Sequence, residues 1–187
     1  MRSACERALA RVLATSCTQV VIIGGESSIH GLSGFAPGVR GLPDADLPPA
    51  LAIADWLLDR AGATPARRFV GVPPDGTPIS DWPPLDERTG LVVMGDGSAR
   101  RSVKGPGYLD DRAEGFDDLV VSALAAGDVG VLADLDEALA ADLLVAGVGP
   151  WKAAARIIGG ERRWHGEVLY ADAPYGVTYL VACWLPA

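Results

Sequence analysis

Four side chains with charged or nucleophilic groups lie in a short turn that follows the apolar run 91–94. The turn offers a carboxylate, a hydroxyl and two permanent cations, on Asp96, Ser98, Arg100 and Arg101. A short apolar run bounded by glycines is typical of a buried parallel strand, and open α/β sheets bind ligands beyond the carboxyl ends of such strands. We therefore predict a binding cleft at this turn, with these four side chains in it.

Ser98 is the side chain of this turn that could act as a nucleophile. The strand-to-helix elbow that exposes a catalytic serine has glycines two residues before and two residues after it, and Arg100 occupies the second of these positions. A catalytic triad also needs a histidine, and the sequence places neither His30 nor His165 beside Ser98. A serine that bonds the local backbone of its own turn is the favoured interpretation, and we predict no catalytic residue.

Four residues near predicted strand ends have donor atoms that metal ions use, namely Glu26, His30, Asp96 and His165. They are spread over most of the chain, and many proteins offer such a set by coincidence. We therefore predict no metal ion, and keep Glu26, His30 and Asp96 as a rival ligand set. The glycine pair at 24–25 lacks the spacing of a dinucleotide-binding or phosphate-binding loop, so no nucleotide cofactor is predicted.

The composition is that of a soluble globular protein, with 49% apolar residues, 21% charged residues and a formal net charge of −8. The negative charge disfavours nucleic acid as a partner, although a local basic cluster at Arg100, Arg101 and Lys104 could hold a small anion. A solvated basic loop is the commoner explanation of such a cluster. No apolar stretch approaches the roughly 18 residues that a membrane-spanning helix needs, and the first residues do not resemble a secretory signal. Three cysteines without metal-binding spacing favour reduced thiols, and we predict a cytoplasmic protein.

Hydrophobic periodicity and turn residues predict the order of the secondary structure. We expect a helix from about residue 4 to 15, strands at 19–25, 67–72 and 91–94, and a long loop at 26–47 that covers something. Further helices are expected after an Asp46 N-cap, after Asp110 or Asp111, over 128–145 and over 151–158, and a hairpin from 164–171 and 177–185. This order predicts a single α/β domain spanning residues 1–187, with a mixed, mostly parallel central sheet flanked by helices and a C-terminal β-hairpin.

Two segments resemble a known superfamily. The turn Gly95-Asp96-Gly97-Ser98-Ala99-Arg100, followed by Pro106-Gly107-Tyr108, Asp110, Arg112 and Phe116-Asp117, resembles the Gly-Asp-Leu-Ser-His-Arg turn and downstream helix of the class III extradiol ring-cleavage dioxygenases, the LigB superfamily. The ending from Ala173 to Ala182 is similar to that superfamily's closing strand, and it adds Tyr175 to the candidate residues of the cleft. The match is closest to short actinobacterial members and implies the extradiol dioxygenase fold.

The resemblance implies a metal-dependent chemistry that these residues do not supply. Enzymes of the superfamily hold Fe(II), or zinc in some branches, with two histidines and a further ligand, and a histidine of the turn moves protons. Ala99 stands at the position of that proton-handling histidine, and Gly24, Gly25 and Glu26 stand where a metal histidine is expected. We therefore predict a degenerate ring-cleavage site in a non-catalytic protein that binds a small molecule or a partner. The alternative is a metal-dependent oxidoreductase acting on an aromatic diol with rearranged Fe or Zn ligands.

The resemblance also bears on assembly. The first strand of the superfamily, with its metal histidine, would precede Ser3, where this sequence has only Met1 and Arg2. A sheet without that strand has an unpaired edge, which proteins usually cover with another element or another subunit. We therefore expect a homodimer.

Overall fold

A three-stranded parallel sheet lies at the centre of the fold. The computed structural model describes residues 1–26, 47–74, 77, 82–159 and 162–187. The sheet contains β1 (Gln19–Gly25), β2 (Ala66–Val72) and β3 (Thr89–Val93), in the order β2-β1-β3. β1 takes the central place because its β-branched run is buried on both faces, as parallel strands between helices are. The three predicted parallel strands are confirmed.

The strand register brings the three carboxyl ends to one edge of the sheet. Ile23 of β1 lies beside Val70 of β2 and Val93 of β3, and all three strands run in the same direction. Glu26 and Asp96 follow β1 and β3 at this edge. The loop that was expected to cover it, and the predicted N-cap Asp46, lie largely or wholly outside the described residues.

Helices cover both faces of the parallel sheet. On one face, α1 (Arg2–Ala14) and α2 (Pro49–Arg60) pack against Val20 and Ile22. On the other face, α6 (Val148–Ile158) packs against the alternate strand residues, since successive side chains of a strand point to opposite faces. The α/β fold with flanking helices is thus confirmed.

The C-terminal hairpin is also confirmed, but it forms a sheet of its own. β4 (Trp164–Asp172) and β5 (Tyr179–Pro186) pair antiparallel and pack against α3 (Arg112–Ala126). Among the described strands, no ladder joins the hairpin to the parallel sheet, so the single mixed sheet expected from the sequence is divided into two. Backbone hydrogen bonds between the turn after β3 and Thr178 connect the two sheets, and α1 packs against both of them.

The helix predicted over 128–145 is wrong, because the chain forms two short helices there. These are α4 (Val129–Ala133) and α5 (Glu137–Asp142). The side chains of Asp128 and Asp136 accept hydrogen bonds from the backbone N–H groups three residues later, which starts a new helix at each aspartate. The two N-caps therefore start two separate helices, although the Ala- and Leu-rich sequence has a high helix propensity.

The three cysteines are unpaired, as the sequence predicted, and Cys17 and Cys183 are buried as core-filling thiols. Within the described ranges, no helix has the length and apolar character that crossing a membrane requires.

We predict opposite effects for alanine at two glycines. A Cβ at Gly95, at the end of β3, would stand 2.3 Å from the Cα of Gly147, so Gly95→Ala should lower the free energy of unfolding by about 1–3 kcal/mol, a usual cost of overpacking. A Cβ at Gly115, inside α3, meets no atom within 4 Å, so Gly115→Ala should raise it by roughly 0.5–1 kcal/mol through helix propensity. Urea unfolding followed by circular dichroism measures both, and equal shifts would contradict the close packing of the turn against α6.

Candidate functional site

The turn after β3 is organised around a buried aspartate of α3. Ser98 is fully buried, and its backbone N–H donates to Oδ1 of Asp117 at 2.9 Å. The Ser98 hydroxyl donates to Oδ2 of the same carboxylate at 2.6 Å. Ser98 therefore bonds a side chain 19 residues later in the chain, and not the local backbone that the sequence favoured.

The carboxylate of Asp117 collects two more donors from other segments. The Thr178 hydroxyl, just before β5, donates to Oδ2 at 2.6 Å, and the Arg101 guanidinium lies 3.3 Å from the same oxygen. Asp117 is 1% exposed, and a buried carboxylate is tolerated only when hydrogen bonds and a countercharge replace its water. Its partners thus join α3, the turn after β3 and the start of β5.

Backbone contacts fix the same three segments. The N–H of Gly97 donates to the carbonyl of Thr178 at 2.7 Å, and the N–H of Thr178 donates to the carbonyl of Ser98 at 2.8 Å. A Cβ at Gly97 would lie 2.8 Å from both Asp117 Oδ1 and Thr178 Cβ, so this position has no room for a larger residue. The turn is therefore closely packed against α3 and against the residues before β5.

The two arginines of the turn are engaged by neighbouring groups. Arg100 donates through Nη1 to the carbonyl of Gly107 at 2.7 Å, and Arg101 reaches Glu114 at 2.9 Å in addition to Asp117. A guanidinium that is already paired with a carboxylate attracts an added anion weakly. These contacts disfavour an anion at Arg101, whereas Arg100 bonds only a carbonyl and keeps a buried Nε without a hydrogen-bond partner among the described residues.

Asp96 differs from its neighbours in the turn. Its backbone carbonyl accepts from Gly147 at 2.9 Å, but no described residue donates a hydrogen bond to its carboxylate. Partial burial raises the pKa of this carboxyl above its ordinary value, even though the residue retains an exposed surface. Its charge also reaches Tyr179, whose pKa is raised first by burial and then by Asp96 and Tyr175.

We call Asp96, Tyr175 and Tyr179 together the Asp96 face, because Asp96 and Tyr175 both act electrostatically on Tyr179. The bridge between residues 97–98 and Thr178 sets Asp96 close to the start of β5, where Tyr179 is half-buried. Tyr175 precedes this strand and is strongly exposed. Asp96 thus follows β3 at the carboxyl edge of the parallel sheet, whereas the two tyrosines lie at and before the start of β5.

The structure describes two of the three residues of the rival metal ligand set, Glu26 and Asp96. The Glu26 side chain packs over Gly71 of β2, whereas Asp96 lies beyond β3 beside Gly147. His30 lies outside the described residues, so the three-residue set stays a prediction. Across the described ranges, no three His, Cys, Asp or Glu side chains are grouped as metal ligands.

The donor set that the family resemblance implies does not fit the described residues. Gly24, Gly25, Glu26 and Ala99 occupy the matched positions. Of these, only Glu26 has a side-chain atom that could ligate iron or zinc, and that side chain packs over Gly71. His165 is exposed on β4, in the other sheet, where it lies beside Leu185. The fold therefore does not bring it to the turn through a strand pairing.

Two shallow depressions lie elsewhere on the described surface. One, of about 500 Å³, lies between the end of α3 and the start of β4 and includes Asp128 and Trp164. The other, of about 490 Å³, lies at β2 and includes Phe69 and Trp82. Neither contains a residue of the predicted cleft.

Sequence reasoning missed the central role of Asp117 and Thr178. A usable signal was present in α3, because Asp117 stands four residues after Ala113 and so falls on the helix face that buries Ala113, Phe116 and Val120. A charged residue on an apolar helix face requires a buried partner. The sequence did not identify the partners of Asp117, since Thr178 lies 61 residues away from it in the chain.

We predict a large loss of stability when the Asp117 carboxylate is removed. Asp117→Ala leaves the hydroxyls of Ser98 and Thr178 without their acceptor, so the free energy of unfolding should fall by about 3–5 kcal/mol, as for other broken buried pairs. The matched control, Asp118→Ala, changes the exposed neighbour and should stay within about 0.5 kcal/mol of the wild type. Urea unfolding of both variants measures the difference, and equal effects would contradict this role of Asp117.

We predict that ionisation of the Asp96 carboxyl lowers the free energy of unfolding. Its pKa is raised in the folded chain, so the unfolded chain loses this proton at a lower pH and the folded state becomes relatively less stable as the pH rises. Asp96→Asn should therefore give a small gain in stability at pH 7 that disappears below a pH of about 4. Urea midpoints at pH 7 and pH 3 measure this, and a loss of stability at pH 7 would contradict it.

No family model matches this chain, and a search among curated proteins likewise finds no match.

Proposed function

We propose that this chain is a non-catalytic relative of the class III extradiol dioxygenases that binds a small molecule at the Asp96 face. One observation carries the proposal. The side chains of Ser98 and Arg101 bond carboxylates of the fold, whereas the exposed Asp96 carboxylate accepts no hydrogen bond from the described residues. An exposed carboxylate at the carboxyl edge of a parallel sheet supports a ligand site there, because such folds bind ligands at this edge.

The chemistry of the turn supports a binding role over ring cleavage. Ring cleavage in the superfamily needs a bound metal and a side chain that moves a proton at the turn. The methyl group of Ala99 can do neither, and its backbone is committed to the carbonyl of Leu143 at 3.0 Å and to Gly107 at 3.0 Å. The turn of this chain is thus used for structure.

The Asp96 face favours a ligand with donor groups. An ionised carboxylate only accepts hydrogen bonds, so it pairs with hydroxyl or ammonium groups of a ligand. Tyr175 and Tyr179 add aromatic surface, which binds cations and rings alike. A small aromatic diol or an aromatic amine satisfies all three side chains.

We predict that such ligands bind and are not turned over. Titration of the labelled protein with catechol and with tyramine, followed by amide NMR, should shift the signals of residues 95–99 and 175–179, because the ligand contacts the Asp96 face. Asp96→Asn should weaken binding at least tenfold, since a charge-assisted hydrogen bond contributes about 1.5–3 kcal/mol. Asp118→Asn, on the exposed part of α3, serves as the matched control and should bind like the wild type.

Two outcomes would refute the proposal. Shifts confined to the depressions near Trp164 or Trp82 would place the ligand site elsewhere. Formation of a yellow ring-opened product from catechol, in air with added Fe(II), would show a working dioxygenase instead of a binding protein.

A further inference from the structure

Two residues of β4 continue the Asp96 face along one side of the C-terminal hairpin. Asp172 lies directly opposite Tyr179 in the ladder between β4 and β5, and Tyr170 lies opposite Val181. Alternate residues of a strand point to the same side, so Tyr170, Asp172 and Tyr179 share one side of the hairpin. Residues that face each other in such a ladder have Cβ atoms about 4.5–5.5 Å apart. The phenol of Tyr170 donates to Oδ2 of Asp172 at 3.4 Å, so the three side chains are continuous.

The Asp96 face adjoins these residues from the turn after β3 and from the hairpin loop. The backbone bridge to Thr178 sets Asp96 close to Tyr179, which lies opposite Asp172. Tyr175 is exposed in the loop, and the pKa values of Tyr170 and Tyr179 are both raised first by burial and also by the charge of Tyr175. Two carboxylates and three phenol rings thus form one surface. We call it the extended Asp96 face, and its residues are Asp96, Tyr170, Asp172, Tyr175 and Tyr179.

Neither carboxylate of this surface is paired with a cation of the described residues. The ion pairs of the described chain include neither Asp96 nor Asp172. Farther along the same side of the hairpin, by contrast, Glu167 is paired with Arg11 at 2.5 Å. Arg7 donates to a backbone carbonyl of β4 at 3.5 Å and forms no ion pair there. The extended Asp96 face therefore keeps its negative charge, and the net charge of −8 adds to its attraction for cations.

An organic ammonium ion matches this surface better than a metal ion or a neutral diol. A metal ion needs several donors gathered round one point, and over the ranges that the structure describes no three His, Cys, Asp or Glu side chains are so gathered. An ammonium group can bond one carboxylate through its N–H groups and is also attracted to the faces of phenol rings. A neutral diol gains nothing from the second negative charge or from the attraction between a cation and a ring.

We infer that the ligand of the extended Asp96 face is an organic ammonium ion, held between Asp96 and Asp172 and against the three tyrosine rings. The inference rests on the proposed function, because it uses the same face as the ligand site, and it selects amines over diols as the ligand class. Tyr170 and Asp172 are then specificity-determining residues, which a neutral ligand does not need.

Ligands that share one ring and differ in charge test the inference. Tyramine, para-ethylphenol and para-hydroxyphenylacetate carry a positive charge, no charge and a negative charge on the same phenol. Amide NMR titration should show that tyramine binds about tenfold more tightly than para-ethylphenol, because a charge-assisted hydrogen bond contributes that much, and that para-hydroxyphenylacetate does not bind. Tyramine should shift the signals of residues 170–172 together with those of 95–99 and 175–179. Added salt should weaken the binding of tyramine and not that of para-ethylphenol, since salt screens exposed charges.

Variants of the two added residues test their part in specificity. Asp172→Asn should weaken tyramine binding about two- to fivefold, as for an exposed charge pair, and should leave para-ethylphenol binding unchanged. Asparagine keeps an oxygen that can accept from the N–H of Ala173, which Asp172 bonds at 2.8 Å, so the loop should keep its conformation. Tyr170→Leu should weaken tyramine binding about two- to fivefold through loss of the ring. The matched control Asp118→Asn removes an equal charge from α3 and should bind tyramine like the wild type.

The outcomes separate this inference from the proposed function. Equal affinities for tyramine and para-ethylphenol, or an Asp172→Asn variant that binds tyramine like the wild type, would overturn the inference. The proposed function would still hold in either case if catechol shifts the signals of residues 95–99 and 175–179. No shift of these signals with any of the four ligands would refute the proposed function, and the inference with it.

Discussion

A carboxylate buried in a protein interior must be given donors by the protein, and Asp117 obtains them from three separate segments. Ser98 donates twice, Thr178 once, and Arg101 supplies the countercharge. This requirement holds the turn after β3 against α3 and against the start of β5. The two sheets share no described ladder, so this polar centre links them at the edge where the parallel strands end.

The same centre decides what the turn can do chemically. The side chains of the turn satisfy Asp117 and a nearby carbonyl group. The Asp96 carboxylate is exposed and accepts no hydrogen bond from the described residues, and partial burial raises its pKa.

Local patterns predicted the elements, and long-range contacts decided their arrangement. The β-branched run of β1 and the break before β5 identified the strands, because burial and turn geometry act on neighbouring residues. The division of 128–145 depended on the caps at Asp128 and Asp136. Sequence also located the turn of the candidate site, but the burial of Ser98 depends on a partner in α3 that periodicity does not name.

The most direct test of this account is a double-mutant cycle between Ser98 and Thr178, measured by urea unfolding. Both hydroxyls donate to Oδ2 of Asp117, so the effects of Ser98→Ala and Thr178→Val should not add. The account predicts an interaction energy of about 0.5–3 kcal/mol, as for residues in one hydrogen-bond network. Strict additivity of the two effects would contradict the central role of the Asp117 carboxylate.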